Sequence, residues 1–104
     1  MSAITTHVLD TAVGRPAVGI AVRLEGQGGE VLGNAVTDRD GRVRTLGPET
    51  ISTGRYRLVF DTAGYFAESF FPEVVITFTV TDPGQHYHVP ILLSSFAFSA
   101  YRGS

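Results

Sequence analysis

Three histidines are the residues of this sequence best suited to acid–base chemistry. His7 lies in the stretch ITTHVLD, and His86 and His88 lie in HYHVPILLS. A neutral imidazole is an effective base near pH 7, since its unperturbed pKa is about 6.5. Because His86 and His88 are two residues apart, they share one face of a predicted strand. The pair is compatible with ordinary surface histidines and, together with His7, with a catalytic zinc site.

An arginine follows the short polar stretch DRDG at 38–41. Asp38 and Asp40 resemble the start of a calcium-binding loop, but the later glutamate ligand and the flanking helices of such a loop are missing. The stretch therefore predicts a hairpin turn, with Gly41 where a positive φ is needed. By pattern alone Arg42 is a surface residue, although a tight turn would hold its guanidinium in a defined direction.

The last four residues are Tyr101, Arg102, Gly103 and Ser104, which place a phenol, a guanidinium and a hydroxyl beside the terminal carboxylate. Terminal residues are often poorly ordered, so an ordinary tail is one interpretation. The preceding stretch SSFAFSAY alternates, however, and its apolar face requires cover from the core or from another surface. Gly103 would let the backbone pass close to a ligand, where a larger residue would clash.

Short β-strands must position these residues, because apolar and polar residues alternate between turn-forming stretches. The predicted strands are 4–10, 20–24, 31–37, 42–46, 54–60, 73–80, 86–94 and 95–101. The alternation places Ile20, Val22 and Leu24 on one face of their strand and Tyr56, Leu58 and Phe60 on one side of theirs. The segment 61–71 lacks this period and suits one or two helical turns ending before Pro72. Eight strands in 104 residues predict a single domain, 1–104, folded as an all-β antiparallel sandwich with one short helix.

The composition excludes several functional classes. Eight basic residues, all of them arginine, and ten acidic residues give a net charge of −2, which argues against a nucleic-acid-binding surface or a polybasic membrane patch. The absence of cysteine excludes disulfides and thiolate chemistry. The N-terminal residues lack the features of a signal peptide, and no stretch approaches the roughly 20 apolar residues of a membrane span. We therefore expect a soluble, cytoplasmic protein.

Four stretches together resemble the transthyretin-like 5-hydroxyisourate hydrolases of purine breakdown: TTHVLDTAVGRPA, TDRDGR, ESFFPE and HYHVPILLS…YRGS. The resemblance covers essentially the whole chain, and the closing YRGS is its most specific element. Transthyretin hormone carriers share that fold but lack this ending and the enzyme's histidines. The resemblance implies a transthyretin-like sandwich assembled as a homotetramer, a dimer of dimers with active sites in the groove between dimers.

The resemblance also implies roles for individual residues. The catalytic residues would be His7, Arg42, His88 and Ser104, the substrate contacts His7, Arg42, Tyr101 and Arg102, and the supporting residues His86 and Gly103. The implied reaction is hydrolysis of the ring amide of 5-hydroxyisourate by a histidine-activated water, with arginine stabilising the developing negative charge. This scheme requires no metal and no cofactor, and it leaves open which histidine is the base.

Two other classes of function remain possible from the sequence. A small-ligand carrier would use the same intersubunit groove for binding only, and its channel would be open and apolar rather than crowded by histidine, arginine and tyrosine. A purely structural sandwich module would carry the four stretches without using them.

Overall fold

The computed structural model describes residues 2–104. The strands are β1 (Ile4–Asp10), β2 (Arg15–Pro16), β3 (Ala21–Glu25), β4 (Val31–Val36), β5 (Arg42–Val43), β6 (Gly54–Phe60), β7 (Val74–Val80), β8 (Tyr87–Leu93) and β9 (Phe98–Ala100). They form two sheets. The first has the order β2-β1-β8-β9, with β5 also paired to β1, and the second has the order β4-β3-β6-β7.

The side chains between the two sheets form the core. All six residues that the alternation places on the two apolar faces are buried, and Leu24, Leu58 and Phe60 have no exposed surface. From the first sheet, Ile4, Val8 and Ile91 meet them. Replacing a fully buried leucine by alanine costs about 2–5 kcal/mol, so this layer holds the sheet that carries the histidines.

One strand pair departs from the predicted antiparallel arrangement. β1 and β8 run parallel over seven residue pairs, from Ile4 opposite Tyr87 to Asp10 opposite Leu93. Antiparallel neighbours are usually joined by short hairpins, whereas parallel neighbours require a long crossover. Nearly the whole chain, including the second sheet, lies between β1 and β8, and this long connection allows the parallel pairing.

The predicted helix at 61–71 is wrong, since no helix forms anywhere in residues 2–104. The segment is a series of turns and bends held by contacts to distant residues. Tyr65 donates a hydrogen bond to Asp10 Oδ2 at 2.8 Å, and the Phe70 amide donates to the Ser95 carbonyl at 2.7 Å. The aromatic side chains of this segment pack against other side chains; for example, Phe71 packs edge-on against Phe98.

Several predicted boundaries also change. The strand predicted at 42–46 ends at Val43, because the Leu46 amide turns away to bond Ser2 Oγ at 2.8 Å. The strand predicted at 95–101 shortens to β9, because a turn between Ser94 and Ala97 precedes it. His86 lies just before β8 rather than inside it. Within residues 2–104 there is no helix long and apolar enough to cross a membrane.

Candidate active site

A polar groove of about 590 Å³ lies on the outer face of the first sheet. β1, β5, β8 and the C-terminal residue all contribute to it. Its lining residues are Thr5, Thr6, Arg42, Val43, Arg44, His86, His88 and Ser104. The groove therefore brings together four residues that the sequence singled out, from segments that are distant in the chain.

The parallel register of β1 and β8 fixes the two histidines of this groove. Thr5 lies directly opposite His88. Its hydroxyl oxygen is 2.8 Å from His88 Nδ1 and 2.9 Å from His86 Nε2. Both rings thus reach the same side of the sheet, as the two-residue spacing predicted, while Tyr87 between them is buried on the other side.

His7 and Arg42 are directly opposite each other in the β1–β5 pair. His7 Nε2 is 2.9 Å from the Asp40 carbonyl oxygen, which can only accept, so His7 donates from Nε2. In a neutral His7 ring, Nδ1 is then the basic nitrogen. His7 is on the same face of β1 as Thr5 by the two-residue period, although it is not among the residues that line the groove.

The Asp38–Gly41 turn positions Arg42. A turn forms where the sequence predicted one, but the predicted hairpin is wrong, because β4 before the turn and β5 after it belong to different sheets. Asp38 Oδ1 accepts hydrogen bonds from the Asp40 amide at 2.8 Å and the Arg42 amide at 3.0 Å. Those backbone hydrogen bonds, led by the one from Arg42, lower the pKa of Asp38 despite an opposing effect of burial. Gly41 has φ +75°, and a Cβ there would lie 2.4 Å from the Val8 carbonyl oxygen. Only glycine lets this turn pack so closely on β1.

The surroundings of His88 favour its neutral form. Burial is the main reason that its pKa is lowered, and the nearby Arg42, His7 and His86 act in the same direction. None of the ion pairs found in residues 2–104 includes Arg42. The groove therefore combines a neutral imidazole with a guanidinium that is available to a ligand. The three histidines do not converge, with each other or with carboxylates, into a three-ligand metal cluster in that part of the chain.

The last four residues lie at two different places, and Gly103 and Ser104 are at the groove. The Gly103 amide donates to the His88 carbonyl at 2.8 Å, and Ser104 lines the groove. A Cβ on Gly103 would lie 2.7 Å from His88 Cδ2, so a glycine is required for this approach. Gly103 and Ser104 therefore both lie beside His88.

Tyr101 and Arg102 lie elsewhere in the single chain. They line a separate cavity of about 190 Å³, bounded also by Phe78 of β7 and by Tyr87. The Arg102 guanidinium stacks over the Tyr87 ring at 4.5 Å and donates to Gln85 Oε1 at 2.9 Å. The structure does not bring these two side chains together with the groove.

Sequence reasoning missed Thr5, which contacts both groove histidines. The two-residue period from His7 places Thr5 on the same face, so that part of the signal was present. Its contact with His88 depends on the β1–β8 register, and no local pattern specifies which residues of two distant strands become partners.

Comparisons with known proteins agree with this geometry. A family model described as the HIUase/Transthyretin family matches residues 4–103. A 5-hydroxyisourate hydrolase of Caulobacter vibrioides is 43% identical, with 100% of both chains covered. The structure of Klebsiella pneumoniae 5-hydroxyisourate hydrolase superposes with a TM-score of 0.89 at 39% identity, covering 97% of this chain and 98% of that one. Transthyretin from Sparus aurata superposes with a TM-score of 0.90 at 26% identity, covering 99% and 97%. The predicted transthyretin-like sandwich is confirmed.

Proposed function

Because the chain belongs to the HIUase/transthyretin family, we propose that it is a 5-hydroxyisourate hydrolase of urate degradation. The reaction opens the six-membered ring and yields 2-oxo-4-hydroxy-4-carboxy-5-ureidoimidazoline. The observation that carries the proposal is the groove itself, in which His88, held by Thr5, lies near Arg42, a cation without a carboxylate partner in residues 2–104.

The reaction needs a base and a stabiliser of negative charge. Water adds to the C6 carbonyl, the tetrahedral intermediate collapses, and the N1–C6 bond breaks to leave a carboxylate and an N–H group. A histidine takes the proton from water, and either His88 or His7 has a ring nitrogen suited to this. The nitrogen of His88 that is not bonded to Thr5 is Nε2, and the nitrogen of His7 that is not bonded to Asp40 is Nδ1.

Arg42 would bind the carbonyl oxygens of the substrate. Its planar, permanently charged guanidinium can bond two oxygens and stabilise the charge that develops on C6–O as water adds. The Asp38–Gly41 turn and the pairing with β1 fix the backbone of Arg42, so its side chain starts from a defined point at the groove. Ser104 would contribute a hydroxyl at the end of the same groove.

The active assembly is proposed to be a homotetramer, a dimer of dimers with its active sites between dimers. β7 and β9 are the terminal strands of their sheets, and their backbone edges are suited to pairing with a second copy. Phe96 and Tyr101, which flank β9 in the sequence, are exposed and add apolar surface there. Since Tyr101 and Arg102 do not reach the groove of their own chain, their proposed contacts with substrate depend on this assembly. Light scattering coupled to size exclusion tests the tetramer, and a monomer that retains full activity would contradict it.

A small-ligand carrier is the alternative, and the observation in its favour is the likeness to the structure of sea bream transthyretin in complex with thyroxine, which is 26% identical. Carrier function requires no proton transfer, whereas this groove holds His88, His86 and an unpaired Arg42.

The cytoplasm is the proposed location for an enzyme acting on a purine breakdown product.

One assay distinguishes the two functions. A uricase generates 5-hydroxyisourate from urate in the cuvette, and the loss of its absorbance is followed with and without the protein. We expect decay much faster than the spontaneous reaction, and near-spontaneous decay with His88→Ala at equal concentration. If the wild-type protein does not accelerate decay, the hydrolase proposal is wrong; saturable binding of the compound without turnover would then support the carrier.

A further inference from the structure

The hydroxyl of Thr5 lies between two imidazole rings. Its oxygen is 2.8 Å from His88 Nδ1 and 2.9 Å from His86 Nε2, and Thr5 is 7% exposed. The seven-residue parallel pairing of β1 with β8 holds the threonine opposite His88. Both contacts are short enough for full hydrogen bonds.

One hydroxyl can donate only one hydrogen bond, so Thr5 cannot donate to both rings, although its oxygen can accept from both. When the Thr5 hydrogen is directed at one of the rings, two arrangements are available. In the first arrangement, His88 donates from Nδ1–H to Thr5, and Thr5 donates to the bare Nε2 of His86. In the second arrangement, His86 donates from Nε2–H to Thr5, and Thr5 donates to a bare Nδ1 of His88. In either of these arrangements the ring that accepts from Thr5 leaves the other ring as the donor, so the hydroxyl couples the tautomer of His88 to that of His86.

The surroundings of His88 favour the first arrangement for catalysis. Gly103 approaches ring atom Cδ2, which is bonded to Nε2, and Ser104 beyond it lines the groove, so the Nε2 side of the ring is at the substrate site. A base must present a bare nitrogen there, and a neutral ring that is bare at Nε2 carries its hydrogen on Nδ1. Thr5 then accepts that hydrogen.

We propose that Thr5 is a positioning residue. Its hydroxyl oxygen accepts a hydrogen bond from His88 Nδ1–H and so holds His88 in that tautomer, and the hydroxyl donates its hydrogen to His86 Nε2. This inference rests on the proposed hydrolase function for its kinetic consequences, but the tautomer itself does not depend on activity. When His88 Nε2 takes a proton from water, the ring becomes a cation and its Nδ1–H bond to Thr5 strengthens. No proton has to leave Nδ1, and the proton returns from Nε2 to the departing N1.

The charged and titratable groups that face His88 are Arg42 of β5, His7 of β1 and His86 beside it. All three oppose protonation of the ring, whereas the hydroxyl oxygen of Thr5 accepts from the protonated form and favours it. Removing the hydroxyl should therefore make His88 harder to protonate.

Two substitutions separate the hydroxyl from the shape of the side chain. Thr5→Val keeps the volume and branching but removes the hydroxyl, and Thr5→Ser keeps the hydroxyl. We expect Thr5→Val to lower kcat by about three- to tenfold, the value of one hydrogen bond, with KM little changed. Its acid limb of kcat/KM should move to lower pH. Thr5→Ser should restore most of both. His86→Ala should cost little further in the Thr5→Val background, because the two residues act as one unit.

Long-range ¹H–¹⁵N spectra of the histidine rings read the tautomers directly at pH 8. We expect Nδ1–H for His88 in the wild-type protein and in Thr5→Ser, and the Nε2–H form or a mixture in Thr5→Val. A wild-type His88 in the Nε2–H form would overturn the proposal even if no variant folds. Equal impairment of Thr5→Ser and Thr5→Val would overturn it as well. If wild-type protein does not hydrolyse 5-hydroxyisourate but shows the Nδ1–H form, the hydrolase proposal fails and the tautomer assignment stands.

Discussion

The two sheets carry grooves on their outer faces that are alike in size and different in how their charges are paired. The histidine groove on the first sheet measures about 590 Å³, and the groove across β3, β4 and β6 on the second sheet about 640 Å³. The lining of the second includes Arg23, Asp61 and Glu73, so it is not short of polar groups. Size and polarity alone do not distinguish them.

The difference lies in the partners of the cations. On the second sheet, Glu25 accepts from Arg23 at 2.7 Å and from Arg57 at 3.2 Å, and these two hydrogen bonds, Arg23 first, lower the pKa of Glu25. Arg42 of the first sheet takes part in none of the ion pairs found in residues 2–104, while its neighbour Arg44 bonds Asp38 at 2.8 Å. A cation already paired within the chain has less to offer a ligand. Of the arginines that line the two grooves, Arg23, Arg42 and Arg44, it is Arg42 that takes part in none of these ion pairs.

Replacing His88 on the first sheet is expected to give the largest loss of activity. His88→Ala removes the proposed base beside Thr5, and a positioned base contributes about 10²–10⁴ in rate. We expect kcat to fall by at least about two orders of magnitude with an unchanged circular dichroism spectrum. Asn34→Ala, in the groove of the second sheet, is the control and should retain full activity. Turnover by His88→Ala near the wild-type rate would remove His88 from the mechanism.

Two arginines provide a matched pair across the molecule. Arg42→Ala should lower kcat by about 10²–10³, the usual loss when a donor to developing negative charge is removed. Arg57→Ala deletes the same guanidinium from the other face and should leave kcat unchanged, since Glu25 keeps Arg23 as a partner. Steady-state kinetics on the uricase-generated substrate measures both. Equal losses in the two variants would mean that pairing does not identify the functional cation.

Gly103 tests whether the C-terminal residues belong to the site. In Gly103→Ala the new Cβ would meet His88 Cδ2 at 2.7 Å and Pro90 Cγ at 3.0 Å, so the ring or the terminal segment must shift. A displacement near 1 Å can cost up to about 10²-fold in rate, so we expect a kcat loss of about 10- to 100-fold. Gly28→Ala is the control, because its Cβ would meet only the flexible end of Glu30. Full activity in Gly103→Ala would make the terminal segment an ordinary tail.

Much of the fold was predictable because its signals are local. The alternation at Ile20–Leu24 and the Asp38–Gly41 turn each depend on neighbouring residues, and both are observed. That the turn joins strands of different sheets rather than a hairpin is not a local property, and this part of the prediction failed. The parallel β1–β8 register depends on residues that are distant in the sequence. Because this register places Thr5 opposite His88, the sequence alone did not identify Thr5. The helix prediction failed because the four-residue spacing of Phe66 and Phe70 satisfies a helical period, while tertiary hydrogen bonds such as that from the Phe70 amide to the Ser95 carbonyl determine the backbone. The separation of Arg102 from the groove also depends on a distant partner, Gln85.

The pH dependence of the reaction should show the lowered pKa of His88. Burial, and then Arg42, His7 and His86, keep this pKa below its ordinary value of about 6.5. A base works only when neutral, so kcat/KM should fall with decreasing pH around a midpoint below 6.5. Since folding depresses this pKa, the contribution of His88 to the free energy of unfolding is present above 6.5 and is lost as pH falls through the folded value.

Arg42→Gln sharpens that measurement. Without the cation, the pKa of His88, followed by NMR titration, should rise toward 6.5, whereas Arg57→Gln on the other face should leave it unchanged. A wild-type acid limb with its midpoint above 6.5 would contradict the proposed electrostatics of His88.

The smallest effect is expected from Glu25→Gln, which makes the second face resemble the first. The variant removes the carboxylate that Arg23 and Arg57 share and leaves two cations without an anionic partner beside a groove of similar size. Because the pKa of Glu25 is lowered in the folded protein, its stabilising effect is present above the unfolded value and is lost as pH falls; the variant should therefore show a slightly lower Tm at pH 7 and little difference at acid pH. Activity should not change, and Glu25→Gln should not rescue Arg42→Ala, because unpaired cations without an adjacent base cannot take a proton from water. A gain of hydrolysis in the double variant would show that charge alone is sufficient.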